Sequence, residues 1–587
     1  MQSYKAPLEE MKFLWEVFDY NRIQELEAYQ EFDLETAISV IETHAKFCTE
    51  QLLPLNEVGD KEGIHYDPKT HSVTMPEGFK DLYEQFVETG MTALVHPEEY
   101  GGSNAPEMLS MFVEEMTTAT NKSFSMCPLL TRGLIAAVHH YGSQEVREMF
   151  LPNLVSGEWT GTMCLTEPHS GTDLGLLTTK AIPNEDGTYN LTGTKIWITY
   201  GDHDMTENIV HLVLARLPDA PAGIKGISLF VVPKITPDDE PNPIYCSGVE
   251  HKMGIHASPT CVMSLEEAKG WMVGEPNKGM RAMFTMMNHA RLSVSLEGVA
   301  LSEIAYQNAR DFALERRQSR SLDPAKRDKN AAADLIIVHP DVRRMLLNIK
   351  ASNEGMRALA CWTAHHIDLS QAHSDEKVRK AGKDIEALLT PILKSFLTER
   401  GFNNINSAIQ STGGAGYTVD LGLEQFMRDE RIALIYEGTN HVQALDLVGR
   451  KLTIEKGRLF LVFNEYISQF IKENKDDERM NEFIEPLKRY SKKLTETTMS
   501  LATKAMKDPE MLGAIASNYL NLFAYVALSY VWGRQVKFAL DKEGKFYKTK
   551  IKTARYFFHN ILPEADSYIS LIEAGKDQMM AFEEDEF

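Results

Sequence analysis

Between about residues 160 and 275 the chain changes texture, and this change constrains the fold more than any other feature. Short runs rich in β-branched and aromatic residues, "KIWITYG", "NIVHLVLARL", "GISLFVVPK" and "PTCVMSLE", alternate with turn clusters such as "PNEDGTYN" and "LPDAPAG". No helix of about 12 residues separates them, so the pattern does not fit a parallel sheet built on crossover helices, and a compact antiparallel β domain is predicted. On either side the period is helical. Amphipathic runs such as "PEMLSMFVEEMTTAT" are broken by "HPEEYGGSNAP" and "YGSQE" before the β region. After it, Leu296, Val299, Ala300, Ile304, Ala305 and Phe312 are spaced to line one helical face. Charged stretches at 319–330 and in "KENKDDERMN" read as exposed connections. The pattern predicts a mainly α chain with a central β domain. Its parts are an N-terminal extension (1–34), a helical domain (35–159), the β domain (160–277), a helical bundle (278–450) and a C-terminal helical extension (451–587).

Composition narrows the function classes. With 61 Lys and Arg against 84 Asp and Glu, the formal charge is −23, which argues against nucleic-acid or anionic-membrane binding through bulk charge. Six scattered cysteines without a CxxC pair read as reduced thiols. The N-terminal residues, with early acidic side chains and no apolar core, fit neither a signal nor a transit peptide, so a cytoplasmic protein is predicted. The uncharged stretch 511–533 is long enough to span a bilayer, but Asn518, Asn521 and several small residues suit a helix buried in protein or at a subunit contact.

Some familiar sites are missing. Gly414 and Gly416 are the only glycines two apart and position 419 is Val419, so no GxGxxG fingerprint exists; in "GEPNKGMR", Met280 stands where a phosphate-loop lysine would be. The pairs His139/His140 and His365/His366 lack the i, i+4 spacing of a helical zinc site, and no metal centre is predicted. Two polar stretches in the β region, "MCLTEPHSGTDLG" and "GTKIWITYG", combine hydroxyls, glycines and an aromatic anchor. They suit either a flat heteroaromatic ligand gripped by backbone amides or a pair of ordinary hairpins. In "RIALIYEGTNHVQ" a carboxylate, Glu437, ends an apolar run and is followed at once by glycine.

Six stretches, "MCLTEPHSGTD", "GTKIWITYG", "MGIHASPTC", "NHARLSVSLEGVA", "QSTGGAGYTVD" and "MRDERIALIYEGTN", occur in the order and approximate spacing of the acyl-CoA dehydrogenase family of flavoproteins, which the chain resembles from about 35 to 450. The start "YKAPLEEMKFLWEV", the "VHPDVRRMLL" stretch and the C-terminal extension look like its long subgroup, which includes 3-(methylthio)propanoyl-CoA dehydrogenases and bacterial fatty-acyl-CoA dehydrogenases. The resemblance implies the family's fold: an N-terminal helical domain, an antiparallel β-barrel-like middle domain and a helical bundle, here with an extra C-terminal domain. It also implies a bacterial oxidoreductase of fatty acid metabolism acting on CH–CH groups. Such an enzyme contains FAD, removes the α-proton of an acyl-CoA, passes a β-hydride to the flavin and gives its electrons to electron-transfer flavoprotein.

Carried over residue by residue, the resemblance makes Glu437 the base. A weakly acidic α-proton requires a base that is close and desolvated, and burial raises a carboxyl's proton affinity. The backbone N–H of Glu437 and a ribityl hydroxyl of the flavin would stabilise the charge forming on the thioester oxygen, with Gly438 permitting close approach. Met163, Leu165 and Thr166 would surround the isoalloxazine, Trp197 and Thr199 would flank it, and Thr439 would also touch it. At the adenine dinucleotide end, completed by a second subunit, Arg316 would pair with pyrophosphate, beside Gln318, Gln410, Gly413 and Gly414. The family's "ERxxFG" is "ERRQSR" here, which leaves the contacts of Gln318 and Ser319 open. For CoA, Thr172 stands at a serine position, and Arg291 belongs to the substrate motif "DxxR", here "NHAR" with Asn288 replacing aspartate. A C-terminal extension in place of a second dimer predicts a homodimer. Two rivals share these motifs: an acyl-CoA oxidase reoxidised by oxygen, and a non-catalytic flavin-binding scaffold.

Overall fold

The computed structural model describes residues 2–505 and 508–587. It comprises two compact units. One contains Met1–Thr43, Glu107–Glu115 and Val294–Phe587; the other contains His44–Pro106 and Met116–Ser293.

The second unit is organised by the β region. A small hairpin, β1 (His65–Asp67) with β2 (Ser72–Thr74), interrupts the helices of this unit; it lies inside the segment whose sequence pattern predicts helices alone. The main sheet contains β3 (Trp159–Cys164), β4 (Lys180–Pro183), β5 (Tyr189–Thr199), β6 (Asn208–Arg216), β7 (Ile227–Pro233), β8 (Ile244–Val249) and β9 (Thr260–Val273). Its order is β3-β6-β4-β5-β9-β7, with β8 on β9, and the extra β6–β7 pairing closes the strands into a barrel-like ring. Pairing is antiparallel except that β3 runs parallel to β6 and β4 meets β6 at the single pair Lys180↔Arg216. A parallel pair needs a crossover, and here the β4–β5 hairpin supplies one where the family of βαβ folds would use a helix.

Strand β6 is buried along both faces. Val210, Leu212 and Leu214 pack with helix residues Leu134, Val138, Phe150 and Met283, whereas Val213 and Ala215 pack with Leu191, Phe230 and Cys261. Burial on both sides is why "NIVHLVLAR" reads as a continuous apolar run instead of alternating.

The first unit is helical. Gly279–Glu315, Pro340–Ala372 and Glu376–Thr412 are its long helices, the first of them beginning in the second unit. Two glycines let the first and third touch backbone to backbone: a Cβ on Gly401 would stand 2.4 Å from the carbonyl oxygen of Gly298, and one on Gly298 would stand 2.2 Å from that of Leu397. The buried guanidinium of Arg357 is paired. Arg357 donates to Glu115 at 2.6 Å and to Glu303 at 3.1 Å, as a charge buried this deeply requires. Lys550 of the C-terminal extension sits between Glu10 and Glu354 and so ties the N-terminal extension to the bundle.

The stretch 511–533 lies within helix Pro509–Ala539. Among the described residues this is the one helix long and apolar enough to cross a membrane, and most of its apolar window is buried. Trp362 meets Tyr530 at a ring-centroid distance of 4.9 Å, and Gly355 leaves room for Trp532, whose Nε1 would lie 2.7 Å from an added Cβ. Large aromatics buried in this way each stabilise the packing by roughly 2–3 kcal/mol. All six cysteines are free and buried.

Candidate active site

The sequence-expected site residues fall into two sets, one in each unit. In the first unit the chain leaves helix Leu423–Arg431, makes a 3₁₀ turn over Ile432–Leu434 and enters helix Asn440–Gly449. Between them Glu437 has φ +54° and Gly438 has φ +83°. A left-handed conformation suits glycine but costs a residue with a Cβ about 1–2 kcal/mol, so surrounding structure must hold Glu437 there.

That structure is visible. Gln443 Nε2 donates to the carbonyls of Glu437 and Gly438, at 3.1 Å each. Lys394 Nζ, on the neighbouring long helix, donates to the Gly438 carbonyl at 2.9 Å and to Asn440 Oδ1 at 3.0 Å. Both Lys394 and Gln443 are fully buried. On the other side, the Tyr436 hydroxyl donates to the carboxylate of Glu297, 2.5 Å from each oxygen. Burial first, then the neighbouring Glu297, push the Tyr436 hydroxyl far above its ordinary pKa, so it remains a donor. Thr439 precedes the following helix, yet its hydroxyl makes no capping bond and the residue is exposed.

The same unit carries the expected dinucleotide residues. Arg316 and Gln318 are exposed and follow helix Gly279–Glu315; their backbones are fixed by Ile336 N donating to Arg316 O at 2.8 Å and Gln318 N donating to Asp334 O at 2.9 Å. The stretch 319–330 is an exposed loop with a single 3₁₀ turn, Pro324–Lys326. Gln410 lies near the end of helix Glu376–Thr412, which stops at Gly413 with φ +63°. A Cβ on Gly413 or Gly414 would meet nothing within 4 Å, so the chain's own packing does not demand glycine at 414. Such an open backbone suits close approach by another molecule.

In the second unit the two polar stretches are joined. Ile196 N donates to Thr166 O at 2.9 Å, which brings the segment of Met163, Leu165 and Thr166 beside that of Trp197 and Thr199. Lys195 reinforces the junction: its Nζ donates to Leu165 O at 3.0 Å and to Glu167 Oε1 at 2.9 Å, with both side chains buried. Glu167 also accepts from the amides and hydroxyls of Thr178 and Thr179, at 2.6 to 3.0 Å. Burial alone would raise its pKa, but Lys195 and these donors hold it at about 2. Burial lowers that of Lys195 in turn, opposed by Glu167.

A bulge then exposes the aromatic. Between the pairs Lys195↔Met263 and Ile198↔Cys261, β5 carries one more residue than β9. Trp197 sits in this bulge at φ +59° and is 60% exposed. Thr199 returns to the ladder opposite Thr260, and Tyr200, at φ +53°, anchors the exit by donating from its hydroxyl to Ser123 O at 2.7 Å. Thr172 is exposed on the loop after β3, while Asn288 and Arg291 lie one turn apart on helix Gly279–Glu315, with Arg291 buried.

The supporting residues Lys195, Glu167, Lys394, Gln443 and Glu297 were missed in the sequence. A signal existed for two of them: Lys195 in "TKIWIT" and Lys394 in "LLTPILKSFLT" are lone cations in apolar runs, and a buried lysine must have partners.

Comparison with known proteins follows the same arrangement. The family models for the acyl-CoA dehydrogenase N-terminal, middle and C-terminal domains match residues 35–158, 162–268 and 277–452, and an acetyl-CoA dehydrogenase C-terminal-like model matches 463–583. A 3-methylmercaptopropionyl-CoA dehydrogenase of Ruegeria pomeroyi is 38% identical, over 98% of this chain and 99% of its own. A butyryl-CoA dehydrogenase of Syntrophomonas wolfei is 32% identical, over 96% and 95%. The crystal structure of an acyl-CoA dehydrogenase complexed with FAD from Bacillus anthracis shares the fold, with a TM-score of 0.74 over 96% of this chain and 91% of that one at 22% identity. The chain belongs to the acyl-CoA dehydrogenase family of oxidoreductases.

Proposed function

We propose that this protein dehydrogenates a short acyl-CoA thioester at its α,β bond, giving a trans-2-enoyl-CoA, with Glu437 as the base and electron-transfer flavoprotein as the electron acceptor. The observation that carries the reading is the left-handed Glu437–Gly438 turn, held by Lys394 and Gln443: strain of this kind persists where a side chain must be aimed. A short acyl group is supported by the two curated relatives, whose names specify butyryl and 3-methylmercaptopropionyl thioesters.

FAD is the cofactor, and the residues present fit it. Trp197 is a large aromatic face pushed out of its strand, Arg316 is an exposed permanent cation suited to pyrophosphate, and Gly413 and Gly414 leave open backbone. Met163, Leu165, Thr166, Trp197, Thr199 and Thr439 would hold the ring system, and Arg316, Gln318, Gln410, Gly413 and Gly414 the dinucleotide end. When bound, FAD supplies the acceptor for the hydride that leaves the β-carbon. The chain's own residues do the rest. Thr172, Asn288 and Arg291 bind the CoA thioester, Glu437 takes the α-proton on its carboxylate, and the Glu437 N–H donates to the thioester oxygen as charge develops there.

The test is anaerobic reduction of the bound flavin by a panel of acyl-CoAs: butyryl, methylthiopropanoyl, branched, aryl and long-chain. Rapid bleaching by the short thioesters is expected, and Glu437→Gln keeps FAD but slows bleaching by about 10²–10⁴-fold, because an amide cannot accept the proton. Near-normal bleaching by that variant would overturn the assignment of the base. Mixing the reduced enzyme with air separates a dehydrogenase from an oxidase: rapid stoichiometric peroxide would identify the oxidase.

A further inference from the structure

We infer that Lys394 is a positioning residue for the reaction: its ammonium, with Gln443, locks the Glu437–Gly438 turn in the geometry that presents the carboxylate and backbone N–H of Glu437 to substrate. This rests on the reading of Glu437 as the base.

Two successive left-handed residues, Glu437 and Gly438, turn their carbonyls toward one cluster of donors. Gln443 Nε2 bridges the two oxygens, and Lys394 Nζ holds the second at 2.9 Å. The lysine has no surface role, because it is fully buried on helix Glu376–Thr412. A buried ammonium is costly to desolvate, and a neutral donor would satisfy a carbonyl at lower cost. What a charged donor adds is a stronger hydrogen bond to the peptide it holds. Asn440 completes the clamp by bridging Lys394 Nζ, at 3.0 Å through its Oδ1, to the carbonyl of Ser395, at 3.1 Å through its Nδ2. The lysine is thereby fixed to its own helix and to the first residue of the helix after Glu437. The long helix is itself seated backbone to backbone on Gly298, which gives the ammonium a rigid mount. Proton abstraction is sensitive to such placement: a displacement of about 1 Å in the base costs about 10²-fold in rate.

The experiment measures the flavin-loaded enzyme by anaerobic stopped flow with butyryl-CoA, ordinary and α-deuterated. Lys394→Met preserves length and apolar volume but removes the bond to Gly438. Its bleaching rate constant at saturating substrate is expected to fall about 10²-fold, with the dissociation constant for butyryl-CoA little changed and a full α-deuterium isotope effect on the slow step. Loss of fold would lower the amount of loaded enzyme and leave the rate constant of the survivors intact. Asn440→Ala, which removes the lysine's second anchor and leaves the charge, is expected to show the same split at about one tenth of the effect, and it serves if Lys394→Met fails to load FAD. A wild-type rate constant in both variants, alongside an inactive Glu437→Gln, would overturn the role of Lys394 alone. An active Glu437→Gln would instead overturn the base on which it rests.

Discussion

The buried pair Lys195–Glu167 is where a single substitution should reach both stability and flavin binding. Glu167 is held at about 2 against an ordinary 4.5, which is worth about 3 kcal/mol at neutral pH at about 1.4 kcal/mol per pH unit. Because the folded value is the lower one, this contribution is complete above about 4.5 and disappears as the pH falls toward 2. The lowered pKa of Lys195 returns part of it, since burial disfavours the ammonium. Lys195→Met leaves Glu167 buried with its threonine donors and the His169 imidazole at 3.6 Å, and removing one partner of a buried pair costs about 3–5 kcal/mol. With the threonine bonds retained, the lower end applies. At about 2–4 °C per kcal/mol for a unit of this size, melting of the FAD-loaded enzyme at pH 7 should fall by about 6–12 °C. Loss of the lysine should also weaken FAD retention on ultrafiltration, because Lys195 ties Leu165 to the strand that bears Trp197. Glu167→Gln combined with Lys195→Met removes both charges and should recover most of the melting temperature. If Lys195→Met melted within about 1 °C of the wild type, the argument that this pair holds together the two segments proposed to bind flavin would be refuted.

Gly401→Ala puts a methyl group 2.4 Å from a backbone oxygen of Gly298, so the two long helices must separate. A loss of about 3 kcal/mol in thermal unfolding is expected, with reduced turnover because the same helix carries Lys394. The exposed apolar side chains Leu322, Tyr417 and Val419 lie in the stretches proposed to carry the dinucleotide residues, where the second chain of a homodimer is expected to cover them. A solution mass of two 66.3-kDa chains is expected, and a mass of four would overturn that assembly.

Legibility differed between helices, strands and site. The helix–β–helix order was marked by the helical period of faces such as that around Leu296 and, between them, by β-branched runs around Ile209 and Val231 bounded by turn clusters. Antiparallel pairing was legible in most of the sheet, whereas the parallel β3–β6 register was not, since it depends on a hairpin acting as a crossover. The burial of 511–533 was legible from its asparagines and small residues; its contact with Trp362 was not.

Motif order along the chain determined the family and singled out Glu437, because the chemistry needs those residue types in sequence-local stretches: a carboxylate followed by glycine, and an aromatic inside a glycine-bounded strand. Only the tertiary structure decided how those residues are held. The left-handed backbone of Glu437 and the bulge that exposes Trp197 belong to the folded chain, and the buried Lys394, Gln443, Lys195 and Glu167 that support them bond to residues up to 46 positions away. Hydrogen bonds and ion pairs over such separations leave no periodic trace, since each is satisfied by one donor and one acceptor that meet only when the helices and strands have packed.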